Sequence, residues 1–128
     1  MHSSFSLDFD DAGTIAAACL ASAQRHGVTV SVAVVDGAGH LLHFSRMDGA
    51  RGFSADLAMK KARTAASVGV STATIAAITG SADAPAAGGV PVLHLGHCAG
   101  AIGISGAPTM IDESIAAAGI SAFERRHA

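Results

Sequence analysis

Tryptophan and tyrosine are absent from the 128 residues, and phenylalanine occurs five times. Without tyrosine there is no tyrosinate to ligate iron, and few aromatics remain to wall a flat macrocycle. Cysteine is scarce as well. Cys19 and Cys98 stand far apart with no C-x-x-C spacing, which excludes a cysteine metal knuckle or a dithiol redox motif. Both are read as buried, inert thiols that pack as small hydrophobes. Charged residues make up 14% of the chain, the formal net charge is −2, and no basic block occurs, so nucleic acid is not an expected partner. No apolar run approaches the roughly 18 residues of a membrane span, because Gly, Ser, Asp or His interrupts each one. Met1 to Ser4 shows no cationic stretch leading into an apolar one. No secretory leader is therefore read, and the expected compartment is the cytoplasm.

What is present is a chain that is half apolar, enough for a packed core. Its length suits one domain over residues 1–128. Ser6 is placed as the cap of a first helix, with Asp8, Asp10 and Asp11 in the opening turn, where the dipole favours anions. Ala12, Ile15, Ala16, Cys19 and Ala23 follow at helical spacing, and His26-Gly27 ends the run. Val28 to Val35 is β-branched and reads as a strand, Asp36 to Gly39 as a turn, and His40 to Arg46 as the return strand. A second helix, Ala55 to Val68, is capped by Ser54 and closed by Gly69, with Ala55, Ala58, Met59, Ala62 and Ala66 as its small apolar face. Ser71 or Thr72 starts a short helix to Ile78, followed by a loop from Thr79 to Gly89. Val90 to Leu95 and Cys98 to Ser105 form a second hairpin around Gly96-His97. Pro108 suits the first position of a last helix that runs to about Arg125. The order α-ββ-α-α-ββ-α predicts an α/β (α+β) fold whose mainly antiparallel sheet is covered by helices. Alanine-rich helices bury little area each, so part of the stability is expected from association of subunits.

Several residues could carry chemistry. Arg46 closes a strand beside the Met47-Asp48-Gly49 loop, where its guanidinium either grips a ligand carboxylate or pairs with Asp48. Lys61 and Thr64 share a helix face, a cation beside a hydroxyl, which suits an anionic oxygen. Lys60 has Asp56 four residues back, whereas Lys61 has no partner at that spacing. Gly88-Gly89 either lets backbone N–H groups form an anion nest or serves only a turn needing positive φ, and Pro91 stiffens the strand entry. His40 and His43, three apart in a strand, point to opposite faces and cannot share a metal, and no HExxH or HxH motif occurs, so no metal site is read. His40, His43, His94 and His26 are left as lone imidazoles, each able to give a metal one axial ligand. His2 and His127 are given no role. Ser105 lacks a G-x-S-x-G elbow. Asp112 and Glu113 are read as dipole partners of the last helix ahead of an acid–base pair.

Five segments, in order, resemble one family. Val32 to Leu42 (VAVVDGAGHLL) is similar to an AVVDxGGHLL hairpin, Arg46 to Ala50 to an RMDGA loop, and Lys61 to Ala65 to a KAxTA helix segment. Gly88 to Pro91 matches GGVP, and Gly100 to Gly106 resembles GAIGVSG, with Asp112-Glu113 and Ala118-Gly119 closing the pattern. The set resembles the GlcG/HbpS family over about residues 6–123, and differs where Leu95-Gly96-His97 replaces the family's usual Asp-Gly between the last strands. The resemblance implies a profilin-like fold and assembly into dimers or higher homo-oligomers. It implies haem binding in some members, for which His40, His43, His94 or His26 would be the axial ligand, a domain of corrinoid adenosyltransferases in one branch, and in others a link to organic-acid or aromatic catabolism; haem is the one cofactor expected. The function expected is binding of haem or another anionic small molecule in a pocket formed by Arg46, Asp48, Lys61, Thr64, Gly88, Gly89 and Pro91. The alternatives are a cofactor-independent tautomerase, deaminase or hydrolase acting on a small organic acid, and a structural or regulatory oligomer without ligand.

Overall fold

The computed structural model describes residues 5–81 and 85–128. It contains α1 (Phe9–Arg25), β1 (Ser31–Asp36), β2 (Leu41–Arg46), α2 (Phe53–Val68), α3 (Thr72–Thr79), β3 (Gly89–His94), β4 (His97–Ser105) and α4 (Thr109–Arg126). The order of elements is the one the sequence predicts, and all strand pairs are antiparallel in a sheet ordered β2-β1-β4-β3. The two hairpins therefore meet through β1 and β4 at the centre of the sheet.

The central strands explain the layering. Side chains alternate faces along a strand. On one face Val32, Val34, Ile102 and Ile104 pack with Ile15 of α1 and Ile115 and Phe123 of α4. On the other, Ala33, Val35 and Ala101 meet Ala58, Ala62, Ala65 and Ala66 of α2. The small residues let α2 lie very close to the sheet. A Cβ at Gly103 would stand 1.9 Å from the Ala58 carbonyl oxygen.

Helix ends correct the sequence reading in three places. Asp8, not Ser6, caps α1: its side chain accepts from the Asp11 N–H while the Asp11 carboxylate accepts from the Asp8 N–H. Ser6 Oγ instead accepts from the Gly37 N–H and ties the chain start to the first hairpin. Ser54 lies inside α2; its hydroxyl donates to the Arg51 carbonyl and sits 2.8 Å from Ser31 Oγ, hooking the helix start to β1. Pro108 occupies the cap position of α4 rather than its first turn, and offers no side-chain bond there.

The Leu95-Gly96 turn has positive φ at both residues, 52° and 81°. Two-residue hairpin turns of this kind favour Asn, Asp or Gly. A leucine, 87% exposed, gains no packing in return. Leu95→Asn is expected to stabilise the domain by about 1 kcal/mol, because a left-handed backbone costs a branched side chain more than it costs asparagine. Thermal unfolding checks it; an unchanged or lower Tm would mean that Leu95 is not strained.

Candidate functional site

Lys61 is the focus of the candidate site. It sits on the face of α2 turned toward the protein, and its side chain is only 4% exposed. Nζ donates to the Ile104 carbonyl at 2.8 Å and lies 3.4 Å from Asp112 Oδ2. Asp112 stands in the first turn of α4, 2% exposed, and its Oδ1 accepts from the Ala107 N–H. The dipole role expected for Asp112 is thus joined by a buried ion pair that ties α2 to α4 across 51 residues of sequence. Burial pushes the Lys61 ammonium below its ordinary 10.5, and the attraction of Asp112 only partly restores it. Burial likewise raises the Asp112 carboxyl above 3.8 against the pull of Lys61 and the Ala107 N–H. Desolvation outweighs attraction on both partners, so burial disfavours the charged form of each.

Glycines make this arrangement fit. Gly88 has φ +125°, and a Cβ there would lie 2.5 Å from the Ile104 oxygen and 3.0 Å from Lys61 Nζ. The Gly89 N–H is committed to Thr72 Oγ1, and a Cβ at Gly89 would lie 2.5 Å from the Lys61 carbonyl. The pair therefore serves close packing around Lys61, with the Gly89 amide already occupied.

A cleft of about 420 Å³ opens beside the ion pair. Lys61, Asp112 and Ser105 form its inner wall, Ala107, Pro108 and Thr109 bring the N-terminus of α4, and Arg51, Phe53 and Leu57 form the rim. The side chains of Phe53 and Leu57 are exposed apolar surface. Helix N-termini carry unpaired N–H groups and a partial positive charge, and α4 has no side-chain cap. An ammonium has three donors, and the protein engages two of those on Lys61. The cleft thus presents donors from three sources: a lysine, an arginine and a helix end.

The other sequence candidates lie elsewhere. Arg46 and Asp48 line a separate depression with Leu20, Gln24, Ser45 and Met47. The Arg46 guanidinium donates to the Ala50 carbonyl at 2.9 Å, closing its own loop rather than pairing with Asp48. Thr64 and Pro91 line neither depression. Glu113 faces another hollow with Ser71 and Ile120, so Asp112 and Glu113 are not a paired acid and base. Among the described residues no histidine lines the Lys61 cleft. His40 is exposed and 3.9 Å from Asp36, His43 Nε2 is 2.6 Å from Ser45 Oγ, and His26 Nδ1 is 3.0 Å from the Ser22 carbonyl. His94 stacks on Phe5 at 4.3 Å between centroids. His127, given no role from sequence, joins that cluster and bonds Asp11 at 2.7 Å. Arg126 also bonds Asp11. Burial of Asp11 raises its pKa, but His127, the Asp8 N–H and Arg126 together hold it below 3.8. His2 lies outside the described residues. Cys19 is buried, with its thiol pushed up to about 12 by desolvation, as an inert thiol should be. Cys98 is only half-buried. Among the described residues no helix is long and apolar enough to cross a membrane, and no group of three or more His, Cys, Asp or Glu is placed to hold a metal ion.

Sequence reasoning missed Arg51 and the Lys61–Asp112 bond, and weighed Ser105 only as a nucleophile. Arg51 directly follows the Arg46–Ala50 segment, and its position just before α2 was the one available signal.

Comparison with known proteins places this geometry among relatives. Residues 7–121 match the family model described as "Haem degrading protein HbpS-like". Protein GlcG of Escherichia coli (strain K12) is 38% identical over 104 residues, covering 73% of this chain and 77% of GlcG. The crystal structure of HbpS superposes with a TM-score of 0.87 at 37% identity, covering 94% of this chain and 92% of HbpS. A crystal structure of a PduOC–haem complex superposes with a TM-score of 0.85 at 30% identity, covering 91% of this chain and 94% of PduOC.

Proposed function

As the chain belongs to the HbpS-like family, we propose that it binds a carboxylate-bearing small molecule in the Lys61 cleft, taking a small organic acid whole and haem by a propionate edge. The observation that carries this reading is the convergence of Lys61, Arg51 and the uncapped start of α4 on one cleft. Its volume, about 420 Å³, falls within the usual range for small-molecule sites.

Haem is supported by the PduOC relative, whose structure is a haem complex. The cleft fits the carboxylate end of that group: two cationic side chains and a helix N-terminus for propionate, with Phe53 and Leu57 as apolar rim for the ring edge. Among the described residues no histidine lines the cleft. Lys61, Arg51 and the N-terminus of α4 would hold the propionates of haem, and Phe53 and Leu57 its apolar edge.

Titration with haemin and with a small carboxylate such as pyruvate tests the site. The two are expected to compete, and Arg51→Ala is expected to weaken both about tenfold, the loss of one charge-assisted hydrogen bond. His40→Ala, His43→Ala and His94→Ala are expected to leave haem affinity unchanged. Haemin binding that is indifferent to saturating acid, or abolished by one histidine substitution, would move haem out of the cleft.

Self-association belongs to the same reading. Both sheet edges expose apolar residues, Leu41 and Phe44 on β2 and Leu93 on β3, which favours pairing of edges or burial against another copy. Sedimentation at micromolar concentration is expected to show a dimer or larger species; a monomer counts against it.

A further inference from the structure

Resting on the anion site above, we propose that Lys61 forms an imine with the carbonyl carbon of a small 2-oxo acid, with Asp112 as its proton relay. The reacting groups are in place. Nζ lies 3.4 Å from Asp112 Oδ2, and both residues form the inner wall of an open cleft. Both side chains line the cleft although they are only 4% and 2% exposed. The Ile104 carbonyl and Asp112 occupy two directions around Nζ. Gly88 packs close on a further side, where an added Cβ would lie 3.0 Å from Nζ, so a substrate meets Nζ from the side of the cleft that Lys61 lines.

Substrate class follows from spacing. Asp112 belongs to the first turn of α4, so the helix N-terminus and Nζ are within reach of one small molecule. A 2-oxo acid carries its carboxylate and its carbonyl on adjacent carbons. With the carboxylate at the helix N-terminus and Arg51, the carbonyl carbon stands beside Nζ. Desolvation supports the chemistry by favouring the neutral amine and the neutral carboxylic acid, since a lysine nucleophile reacts as the free amine.

The step balances. The Nζ lone pair attacks the carbonyl carbon, and the C=O π electrons move to oxygen. The nitrogen loses one proton and the oxygen gains one, both through Asp112, giving a neutral carbinolamine. Asp112 then protonates the hydroxyl, the C–O bond breaks, and water leaves. The products are a protonated imine on Lys61, an Asp112 carboxylate and one water. No oxidant or reductant is needed. An imine so formed withdraws electrons from the neighbouring carbon, which is the requirement for tautomerisation or carbon–carbon cleavage of such acids.

Borohydride trapping of the full chain with pyruvate tests the proposal. Hydride reduces the imine to a stable secondary amine, which peptide mass spectrometry locates. Lys60 and Lys61 are the only lysines, and Lys60 is exposed, so the neighbour is an internal control for nonspecific labelling. One reduced pyruvate is expected on Lys61, saturating with concentration and absent without borohydride. Lys61→Arg is expected to keep the charge and lose the adduct. Because the wild-type comparison of the two lysines stands alone, a poorly folded variant does not weaken the test. Equal labelling of Lys60, or no adduct, overturns the imine. If pyruvate still raises the melting temperature in that case, the anion site survives without the chemistry; if it does not, both readings fall.

Discussion

Gly103→Ala is expected to unfold the domain or leave it aggregated, with a loss of more than about 4 kcal/mol, at the extreme of single substitutions. One methyl group has this effect because its neighbours cannot move. The added Cβ would lie 1.9 Å from the Ala58 carbonyl oxygen and 2.7 Å from the Ala62 nitrogen, both backbone atoms of α2. Gly103 is paired with Ala33 on one side and Gly89 on the other, so the strand is held in the middle of the sheet. The only relief is to lift α2 off the sheet, which opens the contact of Ala58, Ala62 and Ala65 with Ala33, Val35 and Ala101. It would also drag Lys61 away from Asp112. Gly13→Ala is the matched control. Gly13 is an exposed residue of α1 with nothing near its added Cβ, and alanine there is expected to stabilise by about 1 kcal/mol through helix propensity. Denaturant unfolding of the two variants checks the contrast. A folded Gly103→Ala of near-wild-type stability would show that α2 does not sit as close as described.

The second large effect concerns the buried ion pair. Asp112→Asn keeps an acceptor for the Ala107 N–H but leaves Lys61 without its counter-charge, and is expected to cost about 3–5 kcal/mol at neutral pH. That corresponds to a fall in Tm of roughly 10–20 °C for a chain of this size. The sign with pH follows from the direction of the Lys61 shift. Its folded pKa is already below 10.5, and loss of Asp112 removes the attraction that opposes burial. Between the folded value and 10.5 the unfolded chain holds more protons than the folded one, so stability rises with pH. The deficit of Asp112→Asn is therefore expected to shrink as pH is raised toward 10. The double substitution Lys61→Met with Asp112→Leu is expected to recover most of the loss, because an apolar pair of similar size removes both desolvation penalties. Such a variant would be stable and unable to bind a carboxylate, which separates folding from function. A double variant no better than Asp112→Asn would contradict this account of the pair.

The elements were legible where one periodicity dominates. Val32 to Val35 is apolar at every position because the strand is covered on both faces, and the alanines of α2 recur on one face because that face meets the sheet. Helix starts were less legible because several residues competed to cap. Ser6, Asp8, Asp10 and Asp11 all have capping chemistry, and only the reciprocal Asp8–Asp11 bonds decide. The candidate site was half legible. Lys61 stood out because it lacked a partner within its own helix; the fold brings it one, Asp112 of α4. Arg46 stood out by the same logic of a strand-end guanidinium, yet its nearest acceptor is the carbonyl of its own loop. His127 was passed over as a terminal residue, although α4 carries it onto Asp11 and the Phe5–His94 stack. Contacts between residues 51 or 116 positions apart leave no periodic trace in a single sequence.

Carboxylates are expected to bind where Lys61, Arg51 and the start of α4 line one cleft. Backbone amide resonances of the isotopically labelled chain, followed during titration with pyruvate, test it most directly. The account predicts saturating shifts that are largest at Thr109 and Met110, with Gly88, Arg51 and Ala107 responding in the same titration. Shifts centred instead on Ser45 to Asp48, or none that saturate, would contradict it.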